Sequence, residues 1–458
     1  MVWQEHVQVI VMLANTVENG KAKCEQYWPE FGQDVVHGAA HIVNASNQIF
    51  ADYTYRLLNV TCKGKMRKIH HLHFTSWPDH GVPLYTQSVS SFLKKLLATP
   101  PGTGPIVVHC SAGVGRTGSI ILCDICLRMA AAEGSVDILG FQQQIREQRA
   151  NMVDNLDQYK LVHMVLLDCL ATEPSSYTCD KNFASRVTEL STSGVIQRQF
   201  LRLGNMRWQD EVLRPTKGEG GDFSPAQKDK FKNRNLGIVP GEAKDQFVVT
   251  QFPLQSTVGD FWRLIHEKNI SLVVVLNEID VEDKSVCTFW PLGETENLKP
   301  MPHLTVSKKQ EINSTYCRNY HLQLMVDEEE DTKRLVNVLH LKDWQSDENL
   351  PPSTSVILEL WQEAERLCSG KDPIAVCCLD GATASGYFVA LAFLIEKIKL
   401  EQQCDVCQAV RTVRQNREQF VATCEQFEYL YKAAVTYLDT FQIYANFEYV
   451  KYVIIMTA

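Results

Sequence analysis

The sequence predicts an α/β (α+β) protein made of two tandem copies of one domain, each with a central mixed, twisted sheet flanked by helices. Apolar runs of strand length alternate along the chain with segments of helical period, which is typical of sheets covered by helices. The first half of the chain also recurs in the second at a nearly constant offset, which indicates a duplicated domain and not a short-period solenoid. The matched positions, 263 to 268 residues apart, are Cys24 and Cys287, Trp77 and Trp344, Cys110 and Cys378, and Gln158 and Gln426.

The elements of the first copy follow from these patterns. Strands are predicted where residues are continuously apolar or alternate with polar ones, at 7–13, 55–62, 68–74 and 106–108. Helices are predicted where apolar residues recur with helical period, at 88–97, 119–129, 138–148 and 158–170. Two prolines and a glycine make residues 75–83 a loop.

The domain boundaries follow from the repeat. We place the first domain at residues 1–172, a linker at 173–180, the second domain at 181–443 and a tail at 444–458, because the polar stretch 171–176 marks the join. Residues from about 174 to 265 have no counterpart in the first copy, so the chain is expected to begin inside a domain. The apolar segment 452–456 stays open between a strand, a disordered end and a consequence of where the chain is cut.

Composition excludes several classes of protein. A chain of 458 residues exceeds one core, and its net charge of −9 with scattered basic residues leaves no footprint for nucleic acid. Most of the fifteen cysteines, such as Cys123 and Cys126, lie inside apolar helix or strand patterns, which favours reduced thiols in a cytoplasmic protein. The pair Cys404 and Cys407 has no second pair at zinc spacing, so we interpret it as one helix face and expect no metal site. No apolar run reaches the roughly eighteen residues of a membrane helix, so the chain as given is expected to be soluble.

The most informative stretch is residues 107–118, which read VVHCSAGVGRTG. A strand enters a loop with three glycines and a helix follows, so successive backbone N–H groups can surround an anion at the helix N-terminus. Cys110 lies in the same field, which favours its thiolate and makes it a nucleophile. Arg116 can grip two phosphate oxygens with its planar fork. The structural alternative is a core cysteine beside an ordinary turn.

Three further residues are candidates for the chemistry around that cysteine. Asp79, in the Trp77-Pro78-Asp79 loop, can protonate a leaving oxygen, although it could equally be a turn residue. Gln158 carries an amide that can orient water, against the alternative of a solvated side chain. Glu18 is placed to pair with Arg116, against the alternative of simple surface exposure.

Together these motifs resemble the cysteine-based protein tyrosine phosphatases, and the duplication resembles their receptor-type members, which carry two such domains in tandem. The resemblance implies that Cys110 is the phosphocysteine nucleophile and that Asp79 acts first as general acid and then as base. It implies that Arg116 binds the phosphoryl group, Thr117 assists the departing thiolate and Gln158 positions water. Glu18 then orients the arginine and His109 supports the loop. The implied substrate-binding set is Asp79, Cys110, Ser111, Ala112, Gly113, Val114, Gly115, Arg116 and Gln158.

The resemblance also implies partners and a location. The substrates are phosphotyrosine-containing proteins, no cofactor is needed, and the parent protein is membrane-anchored with these domains at the cytoplasmic face of the plasma membrane. Dimerisation through the second domain, with itself or with another protein, stays open.

Departures from the family pattern concern mainly the second copy. Its cysteine, Cys378, remains, but Ala384 stands where the arginine belongs and Ser346 where the acid belongs. Asp380 places a negative charge where an anion would lie, so this copy is expected to keep the fold without catalysis. In the first copy, Asp154 replaces a second glutamine and is expected to slow hydrolysis of the intermediate. The first copy also lacks the start that carries the family's substrate-ring loop.

Two further differences lie between residues 232 and 248. Residues 232–235 resemble the substrate-ring loop with its tyrosine replaced, and the segment 235–248 is short enough to suggest two missing strands.

Three functions fit these observations. The first is a tyrosine phosphatase active in its first domain with a regulatory second domain. The second is a tandem pseudophosphatase that acts as a binding or scaffold module. The third, a dual-specificity phosphatase, shares the cysteine loop but usually lacks the Trp-Pro-Asp setting.

Overall fold

The computed structural model describes residues 1–50, 52–78, 81–83, 86–100, 102–171, 174–205, 247–280, 286–293, 296–326, 333–368 and 372–455, apart from the side chains of 205, 415 and 441–455. These residues divide into two compact units. The first unit holds Met1–Pro174, and the second holds Ser175–Leu203 and the described residues from Phe247 onward.

The first unit is built on a six-stranded mixed sheet. Its strands pair in the order β4-β5-β6-β7-β1-β8, in which β1 runs parallel to both β7 and β8 and the remaining neighbours are antiparallel. Strands β2 and β3 form a separate hairpin. The strands are β1 (Val9–Met12), β2 (Val17–Glu18), β3 (Lys21–Ala22), β4 (Asp34–His37), β5 (Ala40–Ile49), β6 (Tyr53–Cys62), β7 (Lys65–Phe74) and β8 (Ile106–His109).

Strand β1 lies at the centre of the core because its apolar residues alternate between the two faces of the sheet. Val9 and Val11 pack into the larger apolar cluster, and Ile10 and Met12 pack into a second cluster on the other face. The larger cluster also receives one face of α1. The helices of this unit are α1 (Thr86–Ala98), α2 (Gly115–Glu133), α3 (Ile138–Gln148) and α4 (Leu156–Leu170).

The second unit repeats this plan with one more strand. Its large sheet has the order β10-β16-β11-β15-β14-β13-β12, and β9 pairs separately with β17. The strands are β9 (Tyr177–Thr178), β10 (Phe247–Gln251), β11 (Leu272–Val275), β12 (Asn297–Met301), β13 (Leu304–Asn313), β14 (Cys317–Val326), β15 (Arg334–Leu341), β16 (Ile374–Cys378) and β17 (Gln403–Cys404). The helices are α5 (Phe183–Thr192), α6 (Val195–Asn205), α7 (Val258–Glu267), α8 (Thr354–Leu367), α9 (Thr383–Glu401), α10 (Val406–Asn416) and α11 (Cys424–Ile455).

The two sheets correspond strand by strand, which confirms the predicted α/β fold of two mixed-sheet domains. Strands β1 and β8 answer to β11 and β16, and the helix after each of β8 and β16 has 19 residues. Strand β10 lies beyond β16 and has no counterpart among the described residues of the first unit, where β8 forms the sheet edge.

One sequence interpretation was wrong. Cys404 and Cys407 do not share a helix face, because Cys404 ends β17 and Cys407 lies in α10. Asp405 separates them and caps α10 by accepting from the Gln408 N–H at 2.9 Å. The apolar segment 452–456, which the sequence left open, is helical as far as Ile455, where α11 ends.

The substrate-ring resemblance at residues 232–235 and most of the segment 235–248 lie outside the described residues. All fifteen cysteines are free thiols. Across the part of the chain that the structure describes, no helix combines the length and apolar character required to cross a bilayer.

Candidate active site

The cysteine loop of the first unit joins the end of β8 to the start of α2. Cys110 is half-buried there, whereas Ser111 and Ala112 are exposed. Gly113 has φ +72°, a left-handed conformation in which a side chain would be strained. Gly115 is required for a different reason, since a Cβ there would lie 2.6 Å from the side-chain nitrogen of Gln158.

Two hydrogen bonds converge on the sulfur of Cys110. The Gly113 N–H and the Thr117 hydroxyl each donate to Sγ at 3.2 Å. Burial raises the pKa of the thiol, but the hydrogen bonds from Thr117 and from the amides of Gly113 and Val114 outweigh it, so the pKa lies below its ordinary value. The loop therefore favours a thiolate at this half-buried position.

Arg116 is held by a bidentate ion pair with Glu18. Its Nη1 and Nη2 donate to the two carboxylate oxygens at 2.6 and 3.0 Å, and Nη1 also donates to the Leu13 carbonyl at 3.0 Å. Both side chains are largely buried, with 14% of the arginine and 5% of the glutamate exposed. The predicted pairing is therefore present, and simple surface exposure of Glu18 is ruled out.

A tight hairpin sets the position of Glu18. Strands β2 and β3 are joined by Asn19 and Gly20, which have φ of +48° and +73°. Positive φ at both central residues is the geometry that an Asn-Gly turn adopts most readily between antiparallel strands. The Asn15 N–H also donates to Glu18 Oε1 at 3.0 Å, which fixes the carboxylate toward the arginine.

Gln158 lies over the start of α2 and is buried, with 7% exposed. Its Oε1 accepts from the Asp154 N–H at 2.8 Å, and its backbone N–H donates to Asn155, the residue that caps α4. The structure thus places the Gln158 amide beside the cysteine loop and not in solvent. Asp154 itself is exposed.

The Trp77-Pro78 segment approaches the site from β7. Trp77 is buried, its indole N–H donates to the Gly81 carbonyl at 3.3 Å, and the Arg116 guanidinium lies 5.9 Å from its ring. Arg116 Nη2 donates to the Pro78 carbonyl at 3.1 Å. Asp79 lies outside the described residues, so its role stays a prediction.

Behind the loop, His109 belongs to a chain of polar side chains that the sequence did not reveal. Tyr27 Oη lies 2.7 Å from His109 Nε2 and 3.0 Å from His71 Nε2, and His109 Nδ1 lies 3.3 Å from the Cys110 carbonyl. Burial lowers the pKa of His71 well below its ordinary value and also lowers that of His109, so both rings are neutral near pH 7.

The partners of each ring assign the protons in this chain. His109 donates from Nδ1 to the Cys110 carbonyl, Tyr27 donates to His109 Nε2, and His71 donates from Nε2 to Tyr27. The Arg56 guanidinium lies 3.5 Å from the remaining His71 nitrogen and supplies its donor. These hydrogen-bonded side chains connect His109, the residue before Cys110, to the interior of the sheet.

Two arginines of the first unit were also missed. Arg146 donates to the carbonyls of Met152 and Val153 at 2.8 and 2.5 Å, and Arg149 donates to the Ala112 carbonyl at 3.1 Å. The repeat contained the signal for them, because Arg414 and Arg417 stand at the matching positions of the second copy. There Arg414 likewise holds Phe420 and Val421, and Arg417 donates to the Gly381 carbonyl.

The second cysteine loop differs in its environment. Cys378 is fully buried, and burial together with the nearby Asp380 carboxylate raises the pKa of its thiol to about 12. Ala384 is buried at the position of the arginine, and Ser346 is exposed near Trp344. This loop therefore combines a protonated thiol with no guanidinium at that position.

The first loop can hold a tetrahedral oxyanion against a thiolate, with backbone amides on one side and an oriented guanidinium beside it. The mixed sheet that carries this loop, repeated once along the chain, is the architecture of a cysteine-loop phosphatase domain in tandem.

Comparison with known proteins agrees with this class. The family described as protein-tyrosine phosphatase matches residues 1–168 and 224–436. The chain belongs to the protein-tyrosine phosphatase family. It is similar to receptor-type tyrosine-protein phosphatase alpha of Mus musculus, with 31% identity over 98% of this chain and 57% of that protein. It is 33% identical to receptor-type tyrosine-protein phosphatase epsilon of Homo sapiens, over 98% of this chain and 69% of that protein.

A more distant relative is receptor-type tyrosine-protein phosphatase U of Gallus gallus, which is 29% identical over 96% of this chain and 33% of that protein. The chain spans a little over half the length of the alpha relatives, 57% and 59%.

Proposed function

We propose that this chain hydrolyses phosphotyrosine in proteins through a cysteinyl-phosphate formed on Cys110. The observation that carries the proposal is the convergence of Gly113 N–H and Thr117 Oγ1 on the Cys110 sulfur, beside a guanidinium clamped by Glu18. A cysteine with a lowered pKa in an amide-lined loop supplies the nucleophile, and the loop supplies the donors for the phosphoryl oxygens.

In the first step, the Cys110 thiolate attacks phosphorus, so that an S–P bond forms while the bond from phosphorus to the tyrosine oxygen breaks. Asp79 gives its proton to the departing oxygen, which leaves as a phenol. The amides of the loop and the guanidinium of Arg116 stabilise the negative charge on the three equatorial oxygens.

In the second step, a water molecule attacks phosphorus and the S–P bond breaks. Asp79 takes the proton from that water, and Gln158 orients it. The Thr117 hydroxyl, already bonded to the sulfur, stabilises Cys110 as it leaves as a thiolate. Inorganic phosphate is the second product.

The second domain is proposed to be regulatory and non-catalytic. Ala384 has no donor for a phosphoryl group, and the Ser346 hydroxyl is too weak an acid to protonate a leaving group. The Cys378 thiol stays protonated near pH 7. By analogy with the receptor-type relatives, we place both domains at the cytoplasmic face of the plasma membrane.

The test is turnover of a phosphotyrosine peptide combined with trapping. Cys110→Ser should abolish turnover and Cys378→Ser should leave it unchanged. Mass spectrometry after acid quench should find phosphate on Cys110 alone. No turnover by the unmodified chain, with retained binding of partner proteins, would favour the binding module. Equal turnover of phosphoserine and phosphotyrosine peptides would favour a dual-specificity enzyme.

A further inference from the structure

The cysteine loop of the second unit is occupied by its own side chain. The Asp380 carboxylate accepts from the backbone N–H groups of Ala382 and Thr383 at 2.8 and 2.9 Å, and from the Thr383 hydroxyl at 2.6 Å. These donors lie at the start of α9, where the positive end of the helix dipole favours a negative charge. They are the donors that an external anion would need.

The first unit has the same loop without this occupant. Ala112 stands at the position of Asp380 and carries no acceptor on its side chain. There the amide of Gly113 donates to the Cys110 sulfur at 3.2 Å, and the amide of Val114 also helps to lower the pKa of that thiol. The Asp380 side chain therefore distinguishes a loop whose amides bind a carboxylate from the first loop, whose amides support a thiolate.

The Asp380 carboxylate also reaches the sulfur. Cys378 Sγ donates to Asp380 Oδ1 at 3.2 Å, so the thiol keeps its proton. Burial raises the pKa of Asp380, but its hydrogen bonds from Thr383 and Ala382 lower it by more, so the carboxyl group is ionised. The charge is compensated within the loop.

Two further buried groups at this loop are compatible with an anion. Ser385 stands at the position of Thr117 and is fully buried. Its hydroxyl makes no hydrogen bond of ordinary geometry, but it lies close enough to Cys378 to act toward lowering the pKa of that thiol. Arg417, also buried, places its positive charge near Cys378 and Asp380. The surroundings remain those of an oxyanion site.

We propose that the second domain contains a latent site for a phosphate-type oxyanion, and that the Asp380 carboxylate occupies this site and keeps it closed. The proposed lack of catalysis rests on Ala384, Ser346 and the protonated Cys378, whereas the closed loop depends on Asp380.

The test is amide hydrogen exchange of residues 379–386, measured by mass spectrometry on the full chain with and without millimolar inorganic phosphate. In the unmodified protein, phosphate should not change exchange in this segment. In Asp380→Ala, exchange at Ala382 and Thr383 should rise about fivefold, as expected when a helix cap is lost, and phosphate should reverse the increase. Asp380→Asn keeps the acceptor oxygen, so it should stay closed and insensitive to phosphate.

Two results would overturn the proposal. One is slower exchange of residues 379–386 with phosphate in the unmodified protein, which would mean that the loop is open. The other is a rise in exchange at Ala382 and Thr383 in Asp380→Ala that phosphate does not reverse while the rest of α9 stays protected, which would mean that Asp380 only caps the helix. If Asp380→Ala loses protection along the whole of α9, the helix has unfolded and the experiment is repeated with Asp380→Ser. The serine hydroxyl retains one capping contact and leaves room for the anion.

The first loop, residues 110–117, reports on the proposed function in the same experiment. Its failure to respond to phosphate would weaken the assignment of Cys110 and would leave the result for residues 379–386 standing.

Discussion

Arg116 Nη2 donates to the Pro78 carbonyl at 3.1 Å, so the second residue of α2 also binds the backbone of the Trp77-Pro78 segment. The same guanidinium is clamped by Glu18 from the other side. Glu18 and the Pro78 carbonyl are therefore coupled through one planar group. Predictions about the first site follow from this coupling and from the hydrogen bonds around Cys110.

Replacing Glu18 should impair catalysis and also lower the stability of the first domain. Glu18→Gln removes the charge that holds the Arg116 fork, and a misplaced catalytic group can cost about 100-fold in rate. We expect kcat/KM for a phosphotyrosine peptide to fall by that order, together with a loss of stability, because breaking a buried ion pair typically costs about 3–5 kcal/mol.

Asp34→Asn is the matched control for Glu18→Gln. It breaks the ion pair between Asp34 and His41, whose side chains are 62% and 46% exposed, and an exposed pair contributes at most about 1 kcal/mol. Equal losses in the two variants would contradict the role assigned to Glu18.

The pH dependence of Cys110 reactivity should follow its lowered pKa. Because the thiolate is the reactive form, alkylation by iodoacetate should reach half its maximal rate at a lower pH than for an ordinary thiol, whose pKa is about 8.5. Thr117→Ala removes one hydrogen bond to the sulfur and should move that midpoint up by about one pH unit, the equivalent of one such bond.

Thr99→Ala removes a hydroxyl that donates to the Lys95 carbonyl at 2.7 Å, away from the cysteine loop. It should leave the midpoint of Cys110 alkylation unchanged. A midpoint that ignores Thr117→Ala would show that the hydroxyl does not stabilise the thiolate.

Asp154 should limit the second chemical step. A carboxylate next to the anionic cysteinyl-phosphate disfavours attack by water, so the unmodified chain should release the phenol in a burst and then turn over slowly. Asp154→Gln should raise steady-state turnover by about tenfold or more, a modest part of what a positioned group contributes to such a step. Rapid-quench kinetics would measure the burst and the steady rate separately.

Asp157→Asn tests whether any lost negative charge at the start of α4 has the same effect. Asp157 is exposed and lies 3.8 Å from Lys160. An equal increase in this variant would assign the effect to general electrostatics and not to the position of Asp154.

Tyr27→Phe should destabilise the first domain. The variant leaves His109 Nε2 without its donor and His71 Nε2 without its acceptor, and an unsatisfied buried polar group costs about 1–3 kcal/mol. Hydrogen exchange of β1 and β7 in a urea series would measure the loss. Tyr55→Phe, which removes one contact to His70 at a half-buried site, should cost less. A larger loss in Tyr55→Phe would exclude the polar chain behind the loop as a stabilising element.

The sequence alone predicted the fold of both units because the hydrophobic period and the repeat can be read directly from the order of the residues. The strand at 106–108 and the helix over Ile138–Gln148 were confirmed with little change. The role of the loop glycines could also be predicted, because the conformation of a tight turn depends on residue types close together in the sequence. The pairing of Glu18 with Arg116 could be proposed because the two side chains carry opposite charges.

Tertiary structure decided the contacts between residues far apart in the chain. Tyr27 and His109 are 82 residues apart, and no local pattern indicates that sheet register brings their side chains to 2.7 Å. The break between Cys404 and Cys407 was likewise missed, because pairing of β17 with β9 overrides the helical spacing of the two cysteines. Asp380 shows the same division: its charge was readable in the sequence, but only the folded loop turns that charge onto the amides of Ala382 and Thr383.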